Sequence, residues 1–437
     1  MRYIGIDLHK RVIQAHLIAE DLTRQDVRFD LTRETLIAFA AKHLGPDCEL
    51  ALEATTNTWE VVDILTPFCA KVVVSNPMAT KAIAFSKIKT DKVDARVLAD
   101  LLRCDFLPTV FTPDAETRSQ RSIAARRSAL TRQSISLKNR AQSVLHQRLI
   151  PAPADLFGTK GRTWLAAVQV PEIDRMELDT ITRMLDLVQL EQDCIALRLD
   201  QYAHENEDIK RLITLPGIDV TTAHAMLASI GPIERFAADY KLTAYWGLVP
   251  SVSQSADKTY MGKITKQGNK NVRWLLIQAA QHAAKHPGPL GYQFARLEKK
   301  KGHNVAVVAI ARKLAEIAWH LLTKKDVYRY ALPATVEAKL QRIRVNATGE
   351  KKKTGPKKGS AKTAAGTPRT REVKALNQVL EAEGLPTPSP APAAEARVLM
   401  QMKLTAFAKG LHLAARKSSV RIPRASAQAA NPLDDAR

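Results

Sequence analysis

A chain of 437 residues exceeds one compact core and predicts two or three domains with connections. With 45% hydrophobic and 25% charged residues it is globular over most of its length, and a formal charge of +22 goes beyond what solubility needs, so an extended acidic partner is expected, nucleic acid ahead of membrane. Cys48, Cys69, Cys104 and Cys194 form no CxxC pair, which argues against a zinc site or a disulfide framework, and no apolar run approaches the ~18 residues of a membrane span. The N-terminus enters a strand-like pattern rather than a signal peptide, so a cytoplasmic, nucleoid-associated protein is expected.

Residues 1–112 alternate strand-like and helix-like patterns. Tyr3 to Ile6, Val12 to Ile18 and Gln25 to Leu31 read as three meandering strands, Arg33 to His43 as a helix, and Cys48 to Glu53 and Ala70 to Ser75 as buried strands each followed by a helical stretch. This order predicts a mixed α/β sheet with helices on both faces. Asp7 follows the first strand and Glu53 ends another, while Asp91 and Asp94, three apart, share a face if Lys89–Arg96 is helical. Four carboxylates at one edge would repel, two unit charges at ~4 Å costing about 4 kcal/mol at an effective dielectric near 20. Divalent cations remove that conflict, and oxygen-only ligands favour Mg²⁺, with Mn²⁺ as the substitute, in a centre suited to phosphoryl transfer. A strand ending Ile-Gly-Ile-Asp also opens ATP-binding actin-like domains, but those need Gly-rich phosphate loops; Gly158-Thr-Lys-Gly161 lacks the spacing and reads as a turn.

Residues 113–208 form a helical linker. The stretch 115–150 carries many arginines against the single Glu116, and the pattern 172–212 can pair with it antiparallel across a Pro151–Gly161 turn, packing on itself or on another subunit. The arginine-rich face, with Arg126, Arg127, Lys138 and Arg140, also reads as a phosphate track.

Residues 209–330 are mainly helical. Leu212–Gly231 spells a helix, a Pro-Gly turn and a second helix, an arrangement that points amides at a phosphate, although Asp219 stands where a glycine would suit that role better. A polar segment follows Val249, with Ser251, Ser253 and Ser255 and then Lys263, Lys266, Lys270 and Arg273, cations that would stabilise a serine alkoxide and the transition state at a phosphate or contact nucleic acid. The final segment, 331–437, holds nine of the 22 prolines, the run Lys351–Lys358 and more than half of the net charge; it reads as a mostly disordered basic tail with helices near 371–383 and 394–416.

Ile4-Gly-Ile-Asp-Leu-His-Lys10, Leu52-Glu-Ala-Thr55, Lys89-Thr-Asp-Lys-Val-Asp-Ala95, Leu215-Pro-Gly-Ile218, Gly247-Leu-Val-Pro250 and Gly262-Lys-Ile-Thr-Lys-Gln-Gly-Asn269 resemble, in colinear order over roughly residues 1–325, the signatures of DEDD-type insertion-sequence transposases. These form the insertion sequence "one-ten" family, related to the Piv-type invertase. The resemblance implies a RuvC/RNase H-like domain, a helical coiled-coil hairpin and a mainly α transposase domain with a nucleophilic serine. It places Asp7, Glu53, Asp91 and Asp94 on the metal-binding tetrad and Ser255 on the nucleophile, although Ala256 stands where the family usually has glycine, which leaves Ser253 as the alternative. It further implies DNA recombination through a phosphoserine intermediate, dimers and tetramers, and a guide RNA from the element's own non-coding end. Read from the residues without the serine, the competing function is a RuvC-like hydrolytic structure-specific nuclease; a non-catalytic relic is a third reading, against which all four acids count.

Overall fold

A computed structural model describes residues 1–84, 90–255, 258–350 and 369–419, which fall into two compact units, Met1–Asp114 and Ala115 onward.

The first unit is built on a five-stranded sheet of order β3-β2-β1-β4-β5. Strands β1 (Arg2–Leu8), β2 (Val12–Ile18) and β3 (Arg24–Asp30) form an antiparallel meander; α1 (Arg33–His43) then leads to β4 (Cys48–Glu53), parallel to β1, and α2 (Thr58–Leu65) to β5 (Lys71–Ser75), parallel to β4. Ile4, Ile6, Leu50 and Leu52 are fully buried, as central strands covered on both faces require. After α3 (Pro77–Ile83), helix α4 (Asp91–Arg103) buries Ala95, Leu98, Ala99 and Leu102. It lies so close to β1 that a Cβ on Gly5 would stand 2.0 Å from the carbonyl oxygen of Ala95, so only glycine fits there.

The second unit is helical. Helices α5 (Ala115–Gln147) and α7 (Glu172–Glu205) pack together, with α6 (Thr159–Ala167) between them in sequence. Gly158, expected in a turn, is the N-cap of α6. Next come α8 (Glu207–Leu212), α9 (Val220–Ile230), α10 (Asp239–Tyr245), the antiparallel hairpin β6 (Pro250–Ser255) and β7 (Lys258–Ile264), then α11 (Lys270–Ala283), α12 (Pro289–Lys301), α13 (His303–Lys324) and α14 (Pro333–Thr348). One core runs through them, with Trp246, Leu276, Ile310 and Leu314 at its centre.

Beyond residue 331 the described residues hold helices where they were expected, near 371–383 and 394–416, and these pack on the core, which the composition did not indicate. Strands β8 (Arg369–Val373) and β9 (Ala415–Ser419) pair antiparallel around α15 (Leu376–Glu381), α16 (Ala393–Gln401) and α17 (Thr405–Gly410). Leu376, Val379, Leu380, Leu385, Leu399 and Leu411 are buried in the same core as α9 to α14, so 374–413 is part of the folded unit. Widely spaced leucines among prolines and alanines carry that burial without changing the mean composition. The run Lys351–Lys358 lies outside the described residues.

Candidate metal centre and serine hairpin

The four acids all belong to the first unit. Ile6 pairs with Leu52, so Asp7 and Glu53 each follow by one residue at the same end of two parallel neighbours, the carboxyl edge where open α/β sheets present ligands. At Glu53 the backbone is fixed by Thr58, whose buried hydroxyl donates to the Glu53 carbonyl at 3.0 Å and accepts from the Thr55 amide at 2.6 Å. Asp91 opens α4, behind a Thr90 N-cap that accepts from the Val93 amide, and Asp94 lies one turn on. The tight seat of α4 over Gly5 brings this helix start to Asp7.

Asp7 is the inner member, its side chain 15% exposed. Burial pushes its carboxyl above the ordinary range, and the charges of Asp94 and Asp91 push the same way, while His9 opposes them. His9 Nε2 stands between two of the acids, 3.1 Å from Asp7 Oδ2 and 3.3 Å from Asp91 Oδ1. Ligand atoms of Asp7, His9 and Asp91 lie within 4.8 Å of one another, and Arg28 reaches Asp91 at 4.0 Å. The sequence reading gave His9 no role. Its signal was the Asp7-Leu-His9 spacing at a strand end, which returns the imidazole to the carboxylate's side. A buried carboxyl held up by neighbouring acids, with an imidazole N–H where a cation would sit, fits a hard divalent ion.

Ser255 belongs to the second unit. The polar segment after Val249 is the β6–β7 hairpin, in which Ser255 ends β6, is exposed and pairs with Lys258 across the ladder; Ser253 pairs with Tyr260. Ser251 Oγ donates to the Lys263 carbonyl at 3.2 Å and holds the hairpin's base. Ala256 lies outside the described residues.

The basic residues divide. Lys263, Lys266 and Lys270 are exposed, Lys270 opening α11. Arg273 is a correction: it is 8% exposed and donates to the carbonyls of Trp246 at 2.9 Å and Gln267 at 3.0 Å, so it braces the hairpin's root rather than facing a nucleic acid. On α5, Arg126 pairs with Glu191 at 2.6 Å and Arg140 with Glu177, both on α7, while Arg127 bonds Thr131 and Lys138 lies over the Phe157 ring. These α5–α7 ion pairs supply the acids that α5 itself lacks.

The turn of 214–219 has a structural account as well. Gly217 has φ +80°, and a Cβ there would stand 2.2 Å from the Ala279 carbonyl oxygen, so the turn closes directly on α11. Asp219 is the N-cap of α9, its carboxylate accepting from the Thr222 amide at 2.8 Å, which explains the acid where glycine was expected.

Comparison with known proteins defines the class as a transposase, an enzyme that cleaves and recombines DNA. A model of DEDD transposases of the IS110 type matches residues 4–150, and one described as "Transposase IS116/IS110/IS902 family" matches 209–296. The chain thus carries both domains of IS110-type transposases. It is 36% identical over 135 residues to the transposase for insertion sequence element IS1111A of Coxiella burnetii, covering 30% of this chain and 37% of that protein. It is 27% identical to the transposase for insertion sequence element IS1328 of Yersinia enterocolitica over 74% of this chain and 98% of that one. The same identity, over 75% and 98%, relates it to a probable family 20 transposase of Pseudomonas aeruginosa. The sheet and the acids fall in the first match; the 214–219 turn and the hairpin fall in the second. No helix among the described residues is long and apolar enough to cross a membrane.

Proposed function

We propose that the protein recombines DNA at the ends of an insertion sequence by Mg²⁺-dependent transesterification, with Asp7, Glu53, Asp91 and Asp94 as the metal-binding tetrad and Ser255 as the nucleophile. The observation that carries this is the meeting of Asp7, Asp91 and His9 at the carboxyl edge of β1 and β4 in a chain of the IS110 transposase family. The strand order 3-2-1-4-5, antiparallel then parallel, supports a RuvC/RNase H-like reading of the first unit.

A bound Mg²⁺, or Mn²⁺ in its place, supplies charge neutralisation at the phosphate oxygens. Asp7, Glu53, Asp91 and Asp94 would hold it, the ion taking the place between Asp7 and Asp91 where the His9 imidazole stands. Ser255 Oγ forms a bond to phosphorus as the bond from phosphorus to the leaving sugar oxygen breaks; the serine proton goes to solvent and the departing oxygen takes one up. Lys258, across the ladder, offsets charge near the serine. The recombining strand reverses the step and frees the serine. By resemblance, an element-encoded RNA guides the choice of sites, and the reaction takes place in the cytoplasm, at the nucleoid. A second copy of the chain covers the exposed row Ile173, Met176, Leu187, Leu190 and Leu197 on α7, whose three-and-seven spacing is that of a coiled-coil seam.

The test is calorimetric titration of Mn²⁺ into wild-type protein and Asp7→Asn, with cleavage of an element-end DNA measured in parallel. Wild type binds and cleaves; the variant loses both. Cleavage by Asp7→Asn at the wild-type rate removes the metal assignment, and cleavage that releases only free ends, with no protein-linked strand, favours the hydrolytic nuclease.

A further inference from the structure

The second unit carries a cleft of about 540 Å³ between the 214–219 turn, the outer face of α11 and the start of α14. Its volume lies within the range of sites that enclose a small ligand. Trp274, Gln278 and His282 succeed one another at i, i+4 and i+8 along α11, and Lys285 follows just past its end, so an aromatic face, an amide, an imidazole and an ammonium line one wall in that order. Trp274 is 44% exposed although it is the largest side chain of the helix, and the side chains of all four have no hydrogen-bond or ion-pair partner among the described residues. These groups are not spent on the fold.

Two buried groups stand behind the wall of the cleft. His286, 8% exposed, also lines the cleft; its Nδ1 accepts from the Gly288 amide at 3.1 Å, so the ring proton sits on Nε2, which has no acceptor in the protein. Behind the turn, Lys339 Nζ donates to the carbonyls of Ile213 and Ile218 at 2.7 Å and of Leu215 at 3.4 Å, placing a buried cation under the Pro216-Gly217 step. The cleft thus joins an aromatic platform, edge-reading groups and the Lys285 ammonium, with the Asp219 carboxylate at the turn.

We propose that this cleft receives one unpaired nucleobase of the bound nucleic acid, stacked on Trp274 and read at its edge by Gln278 and His282, with the flanking phosphate held by Lys285. The inference rests on the transposase reading only in taking nucleic acid as the partner. Neither the metal centre nor Ser255 enters it. An extruded DNA base and a bulged or looped RNA base offer the same chemistry, a flat π-face with donor and acceptor edges and a flanking anion.

The experiment is fluorescence anisotropy with the full chain in EDTA at fixed salt, using labelled DNA and RNA duplexes that carry a single-nucleotide bulge of each base or an abasic bulge. In at least one host the wild type binds a base bulge about tenfold more tightly than the abasic bulge, a ratio expected from base stacking on one aromatic ring. Trp274→Ala removes that preference and leaves duplex affinity intact, Trp274→Phe retains most of it, and Gln278→Leu reduces it for some bases only. The host that shows the preference identifies the strand. Equal affinity for base and abasic bulges in both hosts, or an unchanged preference in Trp274→Ala, overturns the proposal. Because Ser255→Ala and Asp7→Asn keep the preference, failed strand cleavage and a failed base site remain distinguishable.

Discussion

Asp7 shows how function and stability oppose each other at one position. Burial and two neighbouring acids push its carboxyl up, so the charged form needed to hold a cation is disfavoured in the protein alone. Asp7→Asn removes the repulsion at nearly constant shape; we expect a melting temperature equal to wild type or slightly higher, by up to about 1 kcal/mol of stability, together with loss of metal-dependent cleavage. Differential scanning calorimetry beside a cleavage assay reads both, and a strongly destabilised Asn variant would show that the carboxylate braces the fold. His224 and His286 make the second unit sensitive to acid. Burial lowers each to about 4 from an ordinary 6.5, so between those values the unfolded chain binds protons that the folded chain does not. Their neutral burial therefore costs stability as pH falls through that window, up to about 3 kcal/mol each, and nothing above pH 7. Melts at pH 7 and pH 5 should show the second unit falling, and His224→Gln should flatten the fall. The acids were legible residue by residue because strand ends are visible in sequence, whereas His9 and Arg273 needed three dimensions. A histidine directly after a strand and an arginine among lysines look like ordinary surface residues until their partners are known.

At the scale of elements, Gly5 and α4 set the metal centre. The space that seats the helix is one hydrogen wide, so Gly5→Ala must lift α4 from β1 and carry Asp91 and Asp94 away from Asp7. An overpacking cost of about 1–3 kcal/mol is expected, with a drop in Mn²⁺ affinity beyond what the lost stability explains, read by calorimetry at a temperature where the variant is folded. Unchanged Mn²⁺ affinity in the folded variant would detach α4 from the site. On α7 the buried row Leu178, Ile181 and Leu185 faces the hairpin's own core, while Leu187, Leu190 and Leu197 are exposed. Leu187→Glu with Leu190→Glu should lower the oligomeric state in sedimentation while leaving the melting of the dissociated chain nearly unchanged; an unaltered sedimentation coefficient would leave that face without a second copy. The heptad row was present in the sequence, but periodicity cannot say which of two apolar rows a helix buries in its own chain. The β6–β7 hairpin was illegible for a related reason, since both strands are exposed and give no alternation to read.

Across the whole molecule, sequence pattern conveyed the sheet, the helical region and the family match, because buried strands and amphipathic helices write their burial into the local pattern. For residues 374–413 it marked the helices but not their packing, because a few leucines dock onto a distant core and the surrounding prolines dominate the composition. Leu380→Ala should therefore cost about 2–5 kcal/mol, like any core leucine, and a chemical-denaturation midpoint at the wild-type value would return this segment to the role of a loose tail. The proposed reaction needs the acids of the first unit and the serine of the second, and a single gel reads both. Labelled element-end DNA is incubated with Mg²⁺ and the protein, denatured and resolved: wild type should retain a protein-linked strand, and Ser255→Ala and Asp7→Asn should each yield none. A linked strand persisting in Ser255→Ala, or cleaved DNA with no linked strand in wild type, would contradict the claim.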